Sequence, residues 1–138
     1  MSWRPAFLLA CAGAAFLAAG CSSSANAVFR VPATSMDRLK PALEQVATHG
    51  GLKPRARIAT TEPCTFADYT DDPRLLVSLK ARRIGSSYEV RLASTGLGAR
   101  YQPYRKIAAE LELTLRAIYG RSLSVARDDR TYPMCAAT

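Results

Sequence analysis

The chain has 138 residues, with 19 Lys and Arg against 11 Asp and Glu, so its formal net charge is +8 at pH 7. This length accommodates one folded domain and excludes two. The positive balance favours either an anionic partner or a basic surface that is simply solvated.

The first twenty residues have the pattern of an export signal. Arg4 is followed by an uncharged run, AFLLACAGAAFLAAG, over residues 6–20. Signal peptides combine a basic start, an apolar centre and a cleavage site of small residues. The run is shorter and richer in small residues than the roughly 20 apolar residues that a transmembrane helix needs. We therefore predict that residues 1–20 are a signal peptide.

Residues 17–21, Leu-Ala-Ala-Gly-Cys, resemble the lipobox of bacterial lipoprotein precursors, with Ala18 where that class often has Leu. The resemblance covers only the first 21 residues. It implies a thioether-linked lipid on Cys21, cleavage before Cys21 and acylation of the new amino terminus. Ser22, in place of Asp, implies the outer membrane as destination, with the protein facing the periplasm.

Two alternatives concern this segment. Lipidation at Cys11 would leave an apolar stretch too short to insert, so Cys21 is preferred. The other alternative is an ordinary secretory signal, cut near Ala19 or Ala27, in which Cys21 is incidental.

Two cysteines remain once Cys11 leaves with the signal and Cys21 carries lipid. Cys64 and Cys135 lie in no Cys-x-x-Cys spacing and next to no histidine. Because the periplasm is oxidising, we predict that they form a structural disulfide. Closing so long a loop contributes about 4 kcal/mol in the chain-entropy model. The alternative is a reactive or metal-binding pair.

The first half of the mature chain begins with a tether over residues 21–27 and a short strand over 28–31. A helix starting near Asp37 follows, in which Pro41 would lie in the first turn, and Gly50 and Gly51 mark its end. The helix is indicated by apolar residues at three- and four-residue spacing: Met36, Leu39, Leu43, Val46 and Ala47. Alternation predicts a strand over 55–60, and residues 62–73 are predicted to be a loop.

The second half contains the clearest tertiary signal, a hairpin of residues 75–82 and 88–92 around Gly85 and Ser86. Its predicted inward residues are Leu75, Val77, Leu79 and Ala81, then Tyr88, Val90 and Leu92. A second helix is marked by Tyr104, Ile107, Ala108, Leu111, Leu115 and Ile118, with Pro103 near its start and Gly120 after its end. A strand over 122–126 and a polar tail complete the chain.

This order predicts one α+β domain over residues 28–138. We expect a two-layer sandwich, with a mostly antiparallel sheet of four to five strands and both helices on one face. The arrangement is similar to small periplasmic lipoproteins of the outer-membrane assembly machineries, a likeness of fold that carries no function.

Catalytic patterns are weak. His49 is the sole histidine, so a cryptic enzyme of the Ser–His or Cys–His kind must use it. Its place at a predicted helix end favours capping instead. Glu110 and Glu112 are two residues apart on a helix and point in different directions. We therefore predict no enzyme.

Cofactor and metal patterns are also weak. Asp68, Asp71 and Asp72 match no calcium loop, so an acidic solvated loop is expected. Gly96-Leu97-Gly98 lacks the rest of a phosphate-binding motif. We predict neither a metal nor a cofactor.

One constellation remains. If the apolar strand positions face the helices, the opposite sheet face carries Ser78, Glu89 and five cations: Arg55, Arg57, Lys80, Arg82 and Arg91. The plain alternative is that solvent-facing strand positions must be polar and that cations discourage aggregation at sheet edges.

Export decides which partners such a face could meet. Arg4 is the only charged residue of the signal, so the mature domain keeps a net charge of about +7. An exported protein does not meet nucleic acid; its anions are acidic proteins, peptidoglycan carboxylates and lipopolysaccharide phosphates. The leading hypothesis is a lipid-anchored, non-enzymatic binding module. The second is a lipid- or lipopolysaccharide-handling subunit of an envelope machine, and the third is the cryptic enzyme using His49.

Overall fold

The computed structural model describes residues 23–55 and 64–128. The elements in chain order are β1 (Ser23–Pro32), α1 (Met36–His49), β2 (Lys53–Pro54), β3 (Thr65–Thr70), β4 (Val77–Ile84), β5 (Ser87–Gly96), α2 (Gln102–Tyr119) and β6 (Ser124–Asp128). Short 3₁₀ helices at Gly98–Arg100 and Gly120–Ser122 flank α2.

The described strands form one sheet in the order β2-β3-β4-β5-β1-β6, and every neighbouring pair is antiparallel. The predicted α+β class is confirmed. The predicted count of four to five strands is wrong, because the sheet has six.

The strand missed from sequence is β3, which lies inside the predicted loop over 62–73. Its pairing with β4 is irregular between Thr65 and Ala67, where a bulge shifts the register. A bulge disrupts the two-residue alternation by which a strand is recognised. Of the strand predicted over residues 55–60, only Arg55 lies within the described residues. Strand β2 ends at Pro54, immediately before it.

Strand β1 is longer than expected. Residues 23–27, assigned from sequence to the tether, pair with residues 92–96 of β5, so the tether prediction is wrong from Ser23 onward. Ala25 and Ala27 are buried there. These small residues have low strand propensity, and their pairing with β5 together with their burial overrides it.

The β4–β5 hairpin is confirmed, with Ile84 opposite Ser87 across the turn. Gly85 has a φ of 58°, a conformation that glycine adopts without strain. Leu75 departs from the prediction, since it precedes β4 and is 57% exposed instead of facing the core.

The helices bury the faces that their spacing predicted. In α1 these are Leu39, Leu43, Val46 and Ala47; in α2 they are Tyr104, Ile107, Ala108, Leu111 and Leu115. The end of α1 approaches α2 closely, because a Cβ on Gly50 would lie 2.5 Å from Cγ1 of Ile107. Both buried faces belong to one core cluster with Phe29, Val90 and Leu92 of the sheet. Alternate strand positions therefore remain outside this core.

Pro41 provides a test of local strain. It is the sixth residue of α1, beyond the first turn where proline is tolerated, so the Asp37 carbonyl receives no helical N–H from it. We expect Pro41→Ala to raise the free energy of unfolding by about 1–3 kcal/mol, less the entropy that proline removes from the unfolded chain. Urea denaturation followed by circular dichroism measures this.

Pro103→Ala is the matched control. Pro103 lies in the first turn of α2, where its missing N–H has no partner to lose. We expect no gain in stability there. A loss of stability in Pro41→Ala would show that the proline is not a weak point of α1.

Candidate functional site

The strand register gathers charged residues on the sheet face opposite the core. Arg30 of β1 lies opposite Glu89 of β5, and Glu89 lies opposite Arg82 of β4. Two residues further along β5, Arg91 lies opposite Lys80. We call Arg30, Lys80, Arg82, Glu89 and Arg91 the polar face.

Three guanidinium groups of the polar face converge on one carboxylate. Arg82 donates from Nε and Nη2 to Oε1 of Glu89, at 3.2 and 3.0 Å. Arg30 Nη2 donates to Oε2 at 3.2 Å, and Arg91 Nη2 reaches Oε1 at 3.4 Å. The Glu89 side chain is only 3% exposed, whereas the three arginine side chains are 47–61% exposed. Glu89 is therefore buried beneath its own partners.

The electrostatics of this cluster are unbalanced. Burial by itself raises the pKa of Glu89, but hydrogen bonds and charges from Arg82, together with Arg91 and Arg30, outweigh burial and bring the pKa below its ordinary value. Glu89 is thus ionised at neutral pH. One negative charge faces three positive ones, which leaves the cluster with a local excess of two positive charges.

A depression of about 300 Å³ opens beside the cluster. Its lining side chains are polar except for Ala93: Asn26, Thr65, Ser78, Lys80, Arg82, Glu89 and Arg91. This volume is at the lower end of the range for small-molecule sites, so it suits a small anionic group and not a large ligand.

The five cations predicted for this face have different outcomes. Lys80, Arg82 and Arg91 lie together on the polar face. Arg55 follows β2 and pairs with buried Asp68, with Nε 3.3 Å from Oδ1, and Asp68 lies opposite Lys80 across β3 and β4. Arg57 lies outside the described residues. The sequence reasoning missed Arg30, although its place between Phe29 and Val31, two core residues, is the signal that would have found it.

His49 is held by a carboxylate. Its Nδ1 lies 2.7 Å from Oε1 of Glu110, so the pair joins the end of α1 to α2. A depression of about 340 Å³ lies beside this pair, lined by His49, Gly50, Gln102, Pro103, Lys106, Ile107 and Glu110. These lining residues include no Ser, Thr or Cys that His49 could activate as a nucleophile.

The acidic residues singled out from sequence do not share one site. Asp68 pairs with Arg55, whereas Asp71 accepts the N–H of Val77 at 2.8 Å and so closes the β3–β4 connection. Glu112 binds Arg116 and Arg127. Within the two described ranges, no group of three His, Cys, Asp or Glu could hold a metal ion.

The cysteine predictions stay predictions. Cys64 is exposed just before β3, and no described cysteine pairs with it. Cys21 and Cys135 lie outside the described residues.

Comparisons with known proteins supply no relative. No protein-family model matches the chain, and no curated protein is significantly similar to it. Neither helix among the described residues is long and apolar enough to cross a membrane.

The role of Glu89 can be tested by its pH dependence. Its folded-state pKa is depressed, so its stabilisation is complete above the unfolded pKa of about 4.3 and is lost as the pH falls through the folded value. We expect Glu89→Gln to lower the free energy of unfolding by about 1–3 kcal/mol at pH 7. In urea denaturation series, the difference from the parent protein should stay constant from pH 7 to about pH 5 and shrink at lower pH.

Glu112→Gln is the matched control, since Glu112 also binds two arginines but its side chain is 27% exposed. A loss of at most about 1 kcal/mol is expected there, as for an exposed pair. Equal stability of Glu89→Gln and the parent at pH 7 would contradict the cluster's role.

Proposed function

We propose that this protein is an outer-membrane lipoprotein that faces the periplasm and acts as a non-enzymatic binding module, with its polar face docking an acidic protein. The observation that carries the proposal is the excess of three guanidiniums over one carboxylate at Glu89. Such an excess is costly to leave unbalanced, and a second anion relieves it.

The arginines are suited to this role. Each guanidinium has five N–H donors in a planar fork. Arg30 gives one hydrogen bond to Glu89, and the three side chains are about half exposed. A partner carboxylate entering the depression would meet donors that Glu89 has already oriented. Glu89 is thus a positioning residue for the arginines.

The extent of β1 supports the anchor at Cys21 over one of its alternatives. A signal cut near Ala27 would remove half of β1, including buried Ala25 and Ala27. A cut before Cys21 leaves the strand whole. The mature chain that the fold favours therefore starts upstream of Ser23.

We also propose that the domain is a two-layer sandwich with both helices on one sheet face. The supporting observation is the single core cluster, which joins both helices to the inward strand residues. Arg30, Arg82 and Arg91 lie on the opposite face and are exposed. In this arrangement the polar face stays available to a partner.

The remaining alternatives are less well supported. A lipid- or lipopolysaccharide-handling subunit needs apolar surface for acyl chains, and Ala93 is the only apolar residue lining the depression at Glu89. Because guanidiniums also bind phosphates, the binding experiment below includes phosphorylated lipid A as one of its probes. For a cryptic enzyme, the His49–Glu110 pair lacks an adjacent nucleophile in the lining of its depression.

Binding by the polar face can be measured on the mature chain with Cys21→Ser, which removes the lipid. The probes are a poly-glutamate peptide, soluble peptidoglycan fragments and vesicles containing lipid A, all at low ionic strength. We expect the poly-glutamate peptide to bind and the variant Arg30→Gln/Arg91→Gln to lose about tenfold in affinity, equivalent to about 1.4 kcal/mol.

The matched control is Arg38→Gln/Arg105→Gln, which removes the same charge from exposed positions on the two helices. If both double variants lose the same affinity for the peptide, binding depends only on net charge, and the docking face is contradicted. Preference for lipid A would favour the lipopolysaccharide-handling alternative, and urea curves of each variant report whether it folds.

The anchor is tested separately. We expect intact-mass analysis of the membrane-extracted protein to give an acylated chain that starts at Cys21, sedimenting with the outer membrane. Cys21→Ala should accumulate as the uncut precursor, whereas Cys11→Ala should be processed normally. Normal cleavage of Cys21→Ala at another position would show an ordinary secretory signal instead.

A further inference from the structure

The end of the sheet where β1 begins carries an unusual concentration of exposed leucines. Leu75 is 57% exposed and Leu97 is 52% exposed. Of the four large hydrophobic residues exposed in the described part of the chain, these two lie at this end, and the others are Ile84 and Leu113. We call Ser23, Leu75 and Leu97 the leading edge.

The leading edge is continuous across three adjacent strands. Leu97 forms a bridge with Ser23, the first residue of β1. The Leu75 carbonyl accepts a hydrogen bond from the Thr95 hydroxyl of β5, at 3.3 Å. Neighbouring strands lie about 4.8 Å apart, so the two leucine backbones are within roughly two strand spacings of Ser23.

The backbone conformation at Leu75 does not favour a leucine. Leu75 has a φ of 55°, in the left-handed region that disfavours branched side chains. The bend there is tied by backbone hydrogen bonding from the Leu75 N–H to the Asp71 carbonyl, at 3.1 Å. A glycine or asparagine would adopt this conformation more readily. An exposed leucine at this position is therefore better explained by a partner outside the fold.

The position of the lipid supplies that partner. One residue, Ser22, separates Cys21 from the start of β1. Two residue steps span at most about 7 Å. An acylated Cys21 therefore holds the start of β1 against the lipid surface, with the two leucines beside it.

We propose that the leading edge is a membrane-contact surface, in which Leu75 and Leu97 enter the headgroup region of the leaflet that holds the acyl chains of Cys21. This inference rests on the proposed anchor at Cys21. Exposed Arg74 directly precedes Leu75, and exposed Arg100 lies three residues after Leu97. Both arginines suit lipid phosphates, while exposed Asp72 opposes them. The contact orients the strands away from the membrane and turns the polar face sideways, towards periplasmic partners.

The chain is convenient for the test, because its single tryptophan is Trp3, within the predicted signal. Leu97→Trp, Leu75→Trp and Leu113→Trp each place one tryptophan in the mature protein. Leu113 is 71% exposed on α2 and serves as the matched control. The lipidated proteins are reconstituted in vesicles of phosphatidylethanolamine and phosphatidylglycerol with brominated acyl chains, which quench tryptophan at short range.

We expect at least a twofold loss of tryptophan fluorescence at positions 75 and 97, with a shift of emission to shorter wavelength, and little change at position 113. Thr95→Trp, exposed on the same edge, provides a further reporter if either leucine variant folds poorly. Equal quenching at 97 and 113, in protein whose acylation is verified by intact mass, would overturn the contact surface while the anchor stands. Absence of acylation at Cys21 would overturn both the anchor and the contact surface. Binding of the poly-glutamate peptide tests the polar face independently of either.

Discussion

The pairing of β1 with β5 spans ten residues of each strand and connects the core to the candidate site. The two strands are matched residue for residue from Ser23–Gly96 to Pro32–Ser87. Because β1 also pairs with β6, it joins the last described strand to the central hairpin. The inward side of β1 brings Ala27, Phe29 and Val31 into the core. Its outward side places Arg30 next to Glu89. The same strand therefore contributes residues to both the core and the candidate site.

The buried carboxylate of Glu89 organises the three arginines of the polar face. Without Glu89, three guanidiniums from three neighbouring strands would repel one another across the sheet. With it, they are held by hydrogen bonds of 3.0–3.4 Å, and the group still keeps a net positive charge. The same ion pairs therefore stabilise the fold and prepare a surface for an anion. Salt weakens interactions among half-exposed charges, so partner binding by this face should be sensitive to ionic strength.

The proposed anchor and the proposed binding face are connected through β1. Its first residue lies next to the leading edge, and its eighth, Arg30, lies on the polar face. Only Ser22 separates Cys21 from the start of β1. A lipid at Cys21 would therefore restrict both the distance and the orientation of the polar face relative to the membrane. A binding module held in this way is restricted to partners that approach along the membrane surface.

Periodicity within single segments was sufficient to predict the α+β class, the buried faces of both helices and the β4–β5 hairpin. It also indicated three cations of the polar face, Lys80, Arg82 and Arg91. The six-stranded sheet could not be predicted in this way. A bulge interrupts the alternation of β3, and the small residues at the start of β1 form a strand because they pair with β5. Strand pairing also places Arg30 beside Glu89, 59 residues away in sequence. Arg55 forms its ion pair with Asp68 in the same way. Contacts between strands depend on register, which no single segment encodes.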